Sequence, residues 1–344
     1  MSHDAAPRHC SAAGDPADSV ATEDQRGAGD AEVSVVLPVH NALPHLDAAL
    51  ASLWAQTLDR FEVVAIDDGS TDGSAQRLAE AARQQPRLRV VCVSHAGATA
   101  ALIRGVSEAR APLVARMDAD DICEPDRLAR QVAYLRNHPE VVAVGGALTL
   151  IDADGDRLED HPYPEDHEQI LARLEAGRSG LSHPAAMIRA EALRRVGGYD
   201  PSYATAQDFD LWLRLASVGR LANLPETLLQ YRLHGPSVGG QRRPEQRRAV
   251  QRALRAHAQR CATPLPTDGN TDESAEHLSE ADPPSRSPRP SESVLAAGRR
   301  LAWARAALRG GEHLTAWKHA RGVLRRRPWW VAGWVVAWRA WRRS

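Results

Sequence analysis

This chain of 344 residues is marked first by what it does not contain. No uncharged apolar run approaches the ~20 residues that cross a bilayer, which excludes a membrane-spanning helix. The N-terminus shows neither the basic region nor the apolar core of a secretory signal, so a cytoplasmic location is expected. The four cysteines, Cys10, Cys92, Cys123 and Cys261, form no CxxC pair and no even ladder. That excludes a zinc ribbon or a disulfide framework and suits a reduced setting, with Cys92 and Cys123 as ordinary buried thiols. Charge of one sign is also lacking: the formal net charge is −1, so no global field points to nucleic acid. Neither GxGxxG nor GxxxxGK occurs, so both common glycine-rich phosphate cradles are absent.

What is present is a foldable core and a rhythm. Apolar residues make up 43%, and the length suits one catalytic domain plus additions. Residues 1–31 hold almost no large apolar side chain and are expected to be a disordered tail. Order is expected from Val33, with a strand Val33–Leu37 bounded by Pro38 and a helix capped by Asn41, burying Leu43, Leu46, Leu50, Leu53 and Trp54. Strand and helix then alternate. Strands are expected at 61–66, 88–93 and 113–117, with helices from the Asp67-Asp68-Gly69-Ser70 loop to about Gln84 and from Ala98 to Ala109. Such alternation implies right-handed crossovers and a parallel sheet.

The stretch Arg116-Met117-Asp118-Ala119-Asp120-Asp121 follows the fourth strand. Three carboxylates this close are costly unless a cation compensates them, either Arg116 or a hard divalent metal. Read alone, the stretch could equally be a solvated acidic turn. In open α/β sheets, however, ligands bind beyond the carboxyl ends of the strands. The pair Asp67-Asp68 and the pair Asp118, Asp120 should therefore line one cleft.

Downstream, Pro125 should start a helix burying Leu128, Val132 and Leu135, and 141–151 should be extended. The run Asp152-Ala153-Asp154-Gly155-Asp156 lacks the distal Glu of a calcium loop and reads as a hairpin turn. A helix is expected at 165–176, a strand at 182–189, a helix ending at Gly197-Gly198, a helix opening at Gln207, and a last strand at 228–233 before His234. Asp208 lies in the first turn of its helix, where a carboxylate complements the macrodipole, so helix capping alone could explain it. Residues 242–258 read as a charged helix and 262–292 as a linker. Residues 293–344 hold seven of the nine tryptophans and are expected to be helical.

Five segments stand in order: Val35–Asn41, Ile66–Asp72, Arg116–Asp121, Gly197–Asp200 and Gln207–Trp212. Together they resemble the family-2 inverting glycosyltransferases over roughly residues 33–238. The resemblance implies a GT-A fold: a Rossmann-like, mostly parallel sheet with helices on both faces, here followed by a C-terminal helical segment. It implies transfer of a sugar from a nucleotide-sugar donor, a UDP-sugar being expected, with Mg²⁺ or Mn²⁺. Pro38, Val39, Asn41 and Ser70 match positions around the nucleotide. Asp67 and Asp68 match the base- or ribose-binding position. Arg116 and Asp118 belong to the donor end, Asp120 to the metal, and Asp208 to the general base. Some relatives add a histidine after the last strand as a metal ligand, which would be His234; a plain surface residue is the alternative. A saccharide, lipid-linked or protein acceptor would follow.

The pattern also departs from the family. His95 and Ile103 replace two usual asparagines, which bears on donor-sugar contacts. Gln207 replaces a glutamate, so no like charge beside Asp208 raises its pKa. The processive QxxRW element is absent, with Tyr231–His234 in its approximate place. A non-catalytic sugar-nucleotide-binding relative and a nucleotidyltransferase of similar architecture are the alternatives. For 293–344, two readings compete. One is a helical hairpin packing its tryptophans on the catalytic domain or on a second copy, a homodimer. The other is peripheral, salt-sensitive attachment to the inner membrane face, since tryptophan favours the bilayer interface and arginine the anionic head groups.

Overall fold

The structure is a computed structural model that describes residues 31–233, 243–262 and 292–341. The expectations for the N-terminal tail, for His234 and for nearly all of the 262–292 linker lie outside these residues. The chain divides into two compact units, one up to Leu254 and one from Arg255.

The first unit is built on a nine-stranded sheet. Strand β1 (Val33–Val39) lies between β2 (Phe61–Asp68) and β4 (Leu113–Arg116), and β3 (Leu88–Val93) lies outside β2, all parallel. The direction then reverses. Strand β8 (Met187–Arg189) runs antiparallel to β4 and to β6 (Val141–Ile151). Strand β9 (Arg220–Arg232) is parallel to β6, while β5 (Ile122–Cys123) and β7 (Arg157–His161) are antiparallel to β9 and β6.

Alternation along the strands builds two cores. Val33, Val35 and Leu37 face α1 (Leu43–Trp54), α2 (Ser74–Gln84) and α4 (Arg127–Asn137). Val36 and Val114 face α3 (Ala98–Glu108), α5 (His167–Glu175), α6 (Ala190–Arg195) and α7 (Gln207–Leu215). Helix α3 approaches β1 closely at Gly105, where a Cβ would lie 2.3 Å from Val36 Cγ1. Helix α8 (Arg243–Ala262), expected as a charged helix, sinks Ala253 fully into this second core.

Several elements differ from expectation for local reasons. Strand β1 continues through Pro38, whose neighbour in register is Ile66. Asn41 does not cap α1; it sits at φ 52°, and its Oδ1 accepts the Thr71 backbone N–H at 2.8 Å. Asp67 and Asp68 are the last residues of β2 rather than its loop. Pro184 breaks the strand expected at 182–189 into a 3₁₀ turn (His183–Ala185) followed by β8. Strand β9 is far longer than the expected 228–233, with a register shift around Pro225 and Glu226. Cys123 is a buried free thiol, as expected, but Cys92 is half-buried and disulfide-bonded.

The second unit contains α9 (Glu292–Arg309), α10 (His313–Arg326) and α11 (Val331–Trp341). Its small core is Leu301, Ala304, Ala320, Val323, Val336 and Ala337. Leu314 and Trp317 of α10 are exposed. Among the described residues, no helix is long and apolar enough to cross a membrane.

Candidate active site

Parallel pairing brings the carboxyl ends of β1, β2 and β4 to one edge, since Val39 is level with Asp67 and Val36 with Arg116. The parallel ends of β6 and β9 arrive from the other half of the sheet, with Leu150 level with Tyr231 and Ile151 with Arg232. Between them opens a cleft of about 940 Å³.

The acidic loop 118–121, which leads into β5, lines this cleft through Asp118, Ala119 and Asp120 and is held in place by its neighbours. Arg127 is fully buried and donates from Nη2 to the Arg116 carbonyl at 2.7 Å. Gln131 donates to the Val144 and Ala185 carbonyls at 2.9 and 2.8 Å, tying β6 to the turn before β8. Ser52 Oγ accepts the Cys123 N–H at 3.0 Å. From the far side, the Arg232 backbone N–H donates to Asp121 Oδ1 and its Nε to the Asp120 carbonyl, both at 2.8 Å.

Within the loop the carboxylates have different partners. Arg116 is nearly buried and grips Asp118 through two nitrogens, with Nη1 to Oδ2 at 2.6 Å. Asp118, Asp120 and Asp121 each bring one oxygen within 4.8 Å of the others. Asp121 is 1% exposed, and its Oδ2 is buried with no hydrogen-bond partner among the described residues. Burial, reinforced by the Asp118 and Asp120 charges, pushes its carboxyl well above the usual carboxylate range. Burial also raises Asp118, while Arg116 pulls it down and Asp120 pushes it up. An all-oxygen cluster with an orphaned buried oxygen fits a hard divalent cation of the Mg²⁺ or Mn²⁺ kind. Arg116 already compensates Asp118, so Asp120 and Asp121 are the pair that suits the metal. The sequence reading passed over Asp121, although its place in a three-carboxylate run was the available signal.

Asp208 lines the same cleft from the N-terminal turn of α7. Burial raises its pKa; the Phe209 backbone N–H and then the Arg116 charge oppose the shift. Its presentation rests on the motif upstream. Arg214 of α7 pairs with buried Asp210 at 2.6 Å and donates to the Val196 and Gly198 carbonyls at 2.7 Å, fixing the Gly197-Gly198 turn. Tyr199 then meets His183 Nε2 at 2.7 Å through its hydroxyl. Burial, aided by the Arg116 charge, holds His183 well below the usual imidazole range, so the cleft wall beside Asp208 carries a neutral ring. Among the described residues, the two non-glycine residues in the left-handed region are Asn41 and Ala206, and both line this cleft. Backbone held in that region collects at functional sites.

The structure thus brings Pro38, Asn41, Arg116, Asp118, Asp120 and Asp208 to one cavity. Val39, Asp67 and Asp68 are buried behind the wall, and Ser70 does not line it. Asp68 turns its carboxylate to the Ala96 and Gly97 N–H groups at 2.7 and 2.9 Å, so it shapes the 94–97 loop. His95 Nδ1 also reaches Asp68 Oδ2 at 2.9 Å, and its ring stacks on His40 at 4.2 Å.

Comparison with known proteins agrees with this architecture. The model of glycosyl transferase family 2 matches residues 34–197. The amylovoran biosynthesis glycosyltransferase AmsE of Erwinia amylovora is 32% identical over 214 residues, covering 61% of this chain and 79% of that one. The O-antigen biosynthesis glycosyltransferase WbnJ of Escherichia coli is 30% identical and covers 60% of this chain and 81% of that one. Among solved structures, residues 1–349 of S. aureus TarS in complex with UDP-GlcNAc align with TM-score 0.52 at 19% identity, a likeness of fold. That alignment covers 66% of each chain, so about a third of the solved structure has no counterpart in it. With the order of the strands, the acidic loop and relatives of this identity and coverage, the chain belongs to glycosyltransferase family 2 and is a glycosyltransferase.

Proposed function

We propose that the chain moves a sugar from a nucleoside diphosphate donor, a UDP-sugar, to an acceptor hydroxyl with inversion at the anomeric carbon. The observation that carries this is the acidic cluster with its orphaned Asp121 oxygen sharing one cleft with Asp208. Asp120 and Asp121 would hold the divalent cation, which when bound supplies Lewis-acid stabilisation of the leaving diphosphate. Arg116 fixes the Asp118 carboxylate towards the ribose or donor sugar. Asp208 takes the proton from the acceptor oxygen as that oxygen attacks. The raised pKa keeps it basic enough for that transfer, and the His183 ring beside it is neutral. One carboxylate base suffices for a single displacement, which is why the product is inverted.

The names of AmsE and WbnJ, from amylovoran and O-antigen biosynthesis, favour a saccharide as the acceptor. The test is release of free nucleoside diphosphate from a panel of nucleotide-sugars. Release should require Mg²⁺ or Mn²⁺, stop on chelation, and rise when a competent acceptor is added. A chain that binds donors but never turns them over is a non-catalytic relative, and the proposal fails.

A further inference from the structure

Helix α11 turns its large apolar side chains outward. On α11 the residues turned inward are Gly333, Val336, Ala337 and Ala340, all buried. The large ones point to solvent: Val331, Trp334, Val335, Trp338 and Trp341 are 42–73% exposed. At 3.6 residues per turn these five fall within about 120° of arc, one continuous face. Trp329, just before the helix, is 69% exposed. Soluble monomers rarely present so large a contiguous apolar surface without a partner.

Cations accompany it. Between 292 and 341 there are ten Arg and Lys against two Glu, in a chain whose overall net charge is −1. On the adjoining helices, Arg300, Lys318, Arg321, Arg325 and Arg326 line a cleft of about 530 Å³, with exposed Trp317 and Leu314 at its rim. Gly322 at its base lets Arg300 approach, since a Cβ there would lie 2.8 Å from Arg300 Cδ. The Trp334 indole N–H donates to the Pro328 carbonyl at 2.7 Å, so that ring is held while its face stays exposed.

From the outward tryptophan face of α11 and this cationic cleft we propose that the second unit docks the protein on an anionic bilayer surface. The indoles enter the headgroup region and the cleft takes lipid phosphates. The occupant is a membrane rather than a protein groove because the apolar face is aromatic and convex while the charge beside it is almost all positive. Tryptophan concentrates at the bilayer interface, and basic residues are attracted to anionic head groups. None of these residues lines the catalytic cleft, so the inference stands independently of the proposed reaction.

The experiment is flotation of the full chain with phosphatidylglycerol–phosphatidylcholine vesicles and with phosphatidylcholine alone. Two variants accompany it, the triple change Trp334→Ser, Trp338→Ser, Trp341→Ser and the double change Arg321→Gln, Arg325→Gln. The exposed positions should leave circular dichroism and donor turnover in solution unchanged, which separates this result from failure of the catalytic reading. Wild type should float with anionic vesicles, bind neutral ones at least about tenfold less, and be released by salt, which shortens the range of the electrostatic attraction. Its tryptophan emission should shift to the blue on binding. Both variants should lose flotation by about tenfold or more. Wild-type flotation that is absent, salt-insensitive or fully retained by either variant overturns the proposal. So does a wild-type dimer that the tryptophan variant converts to monomer, which would assign the face to a second copy.

Discussion

The two units treat the same residue type in opposite ways. In the catalytic unit Trp212 is fully buried, edge-on to His183 at 5.9 Å and enclosed by the leucines of α7. In the C-terminal unit Trp329, Trp334, Trp338 and Trp341 are all more than half exposed, while the inward side of α11 carries the smaller Gly333, Val336, Ala337 and Ala340. The first unit spends its aromatic surface on rigidity behind a site; the second leaves it available to a surface. A tryptophan is therefore no guide to a core until its helical face is known, and the sign of the neighbouring charge separates the cases. Carboxylates converge on the catalytic cleft, and guanidinium groups converge on the other.

The sharpest way to break the first half of this comparison is Asp208→Asn. It keeps shape and removes basicity, so transfer should fall by ~10²–10⁴ while donor binding and vesicle binding persist. Wild-type turnover should also decline on the acid side at a pH above the usual carboxylate range. The reason is directional: the base works ionised, burial raises its pKa, and lowering the pH through that raised value protonates it. A residual activity in the variant that keeps the same acid limb would remove Asp208 from the role of base.

Next in size is a paired truncation. Trp212→Ala should cost ~3–5 kcal/mol, read by denaturant unfolding of the full chain, because it empties a filled site. Trp338→Ala, at 52% exposure, should stay within about 0.5 kcal/mol. Equal costs would mean that the outward face is structural. Smaller again is Gly105→Ala, which puts a methyl group 2.3 Å from Val36 Cγ1. It should destabilise by ~1–3 kcal/mol as β1 and α3 are forced apart, with little change at the exposed helices.

The parallel half of the fold was legible because its strands are short, mostly apolar runs alternating with helical patterns; 88–93 coincides with β3, and 141–151 with β6. The antiparallel half was harder. Pro225 and Glu226 interrupt the pattern of β9, whose pairing with β6 shifts register there, and β5 is two residues long. The acidic loop could be placed from strand ends alone. The division of labour within it could not, because it depends on Arg116 turning back onto Asp118 and on Arg232, 112 residues after Asp120, reaching the loop from β9. Asn41 looked like a cap, but its left-handed backbone sends its side chain to Thr71. In the last 50 residues spacing revealed helices but not which side of α11 faces inward. Small residues and tryptophans alternate there, and only packing against Val323 and Leu324 decides it.

The central claim is that the three carboxylates after β4 form the metal–nucleotide end of the site. Calorimetric titration of UDP into the full chain, with and without Mn²⁺, tests it most directly when repeated on Asp120→Asn and Asp121→Asn. Binding should require the metal in the wild type and weaken by at least about tenfold in both variants, with folding unchanged. Metal-independent binding, or wild-type affinity in either variant, would contradict the account.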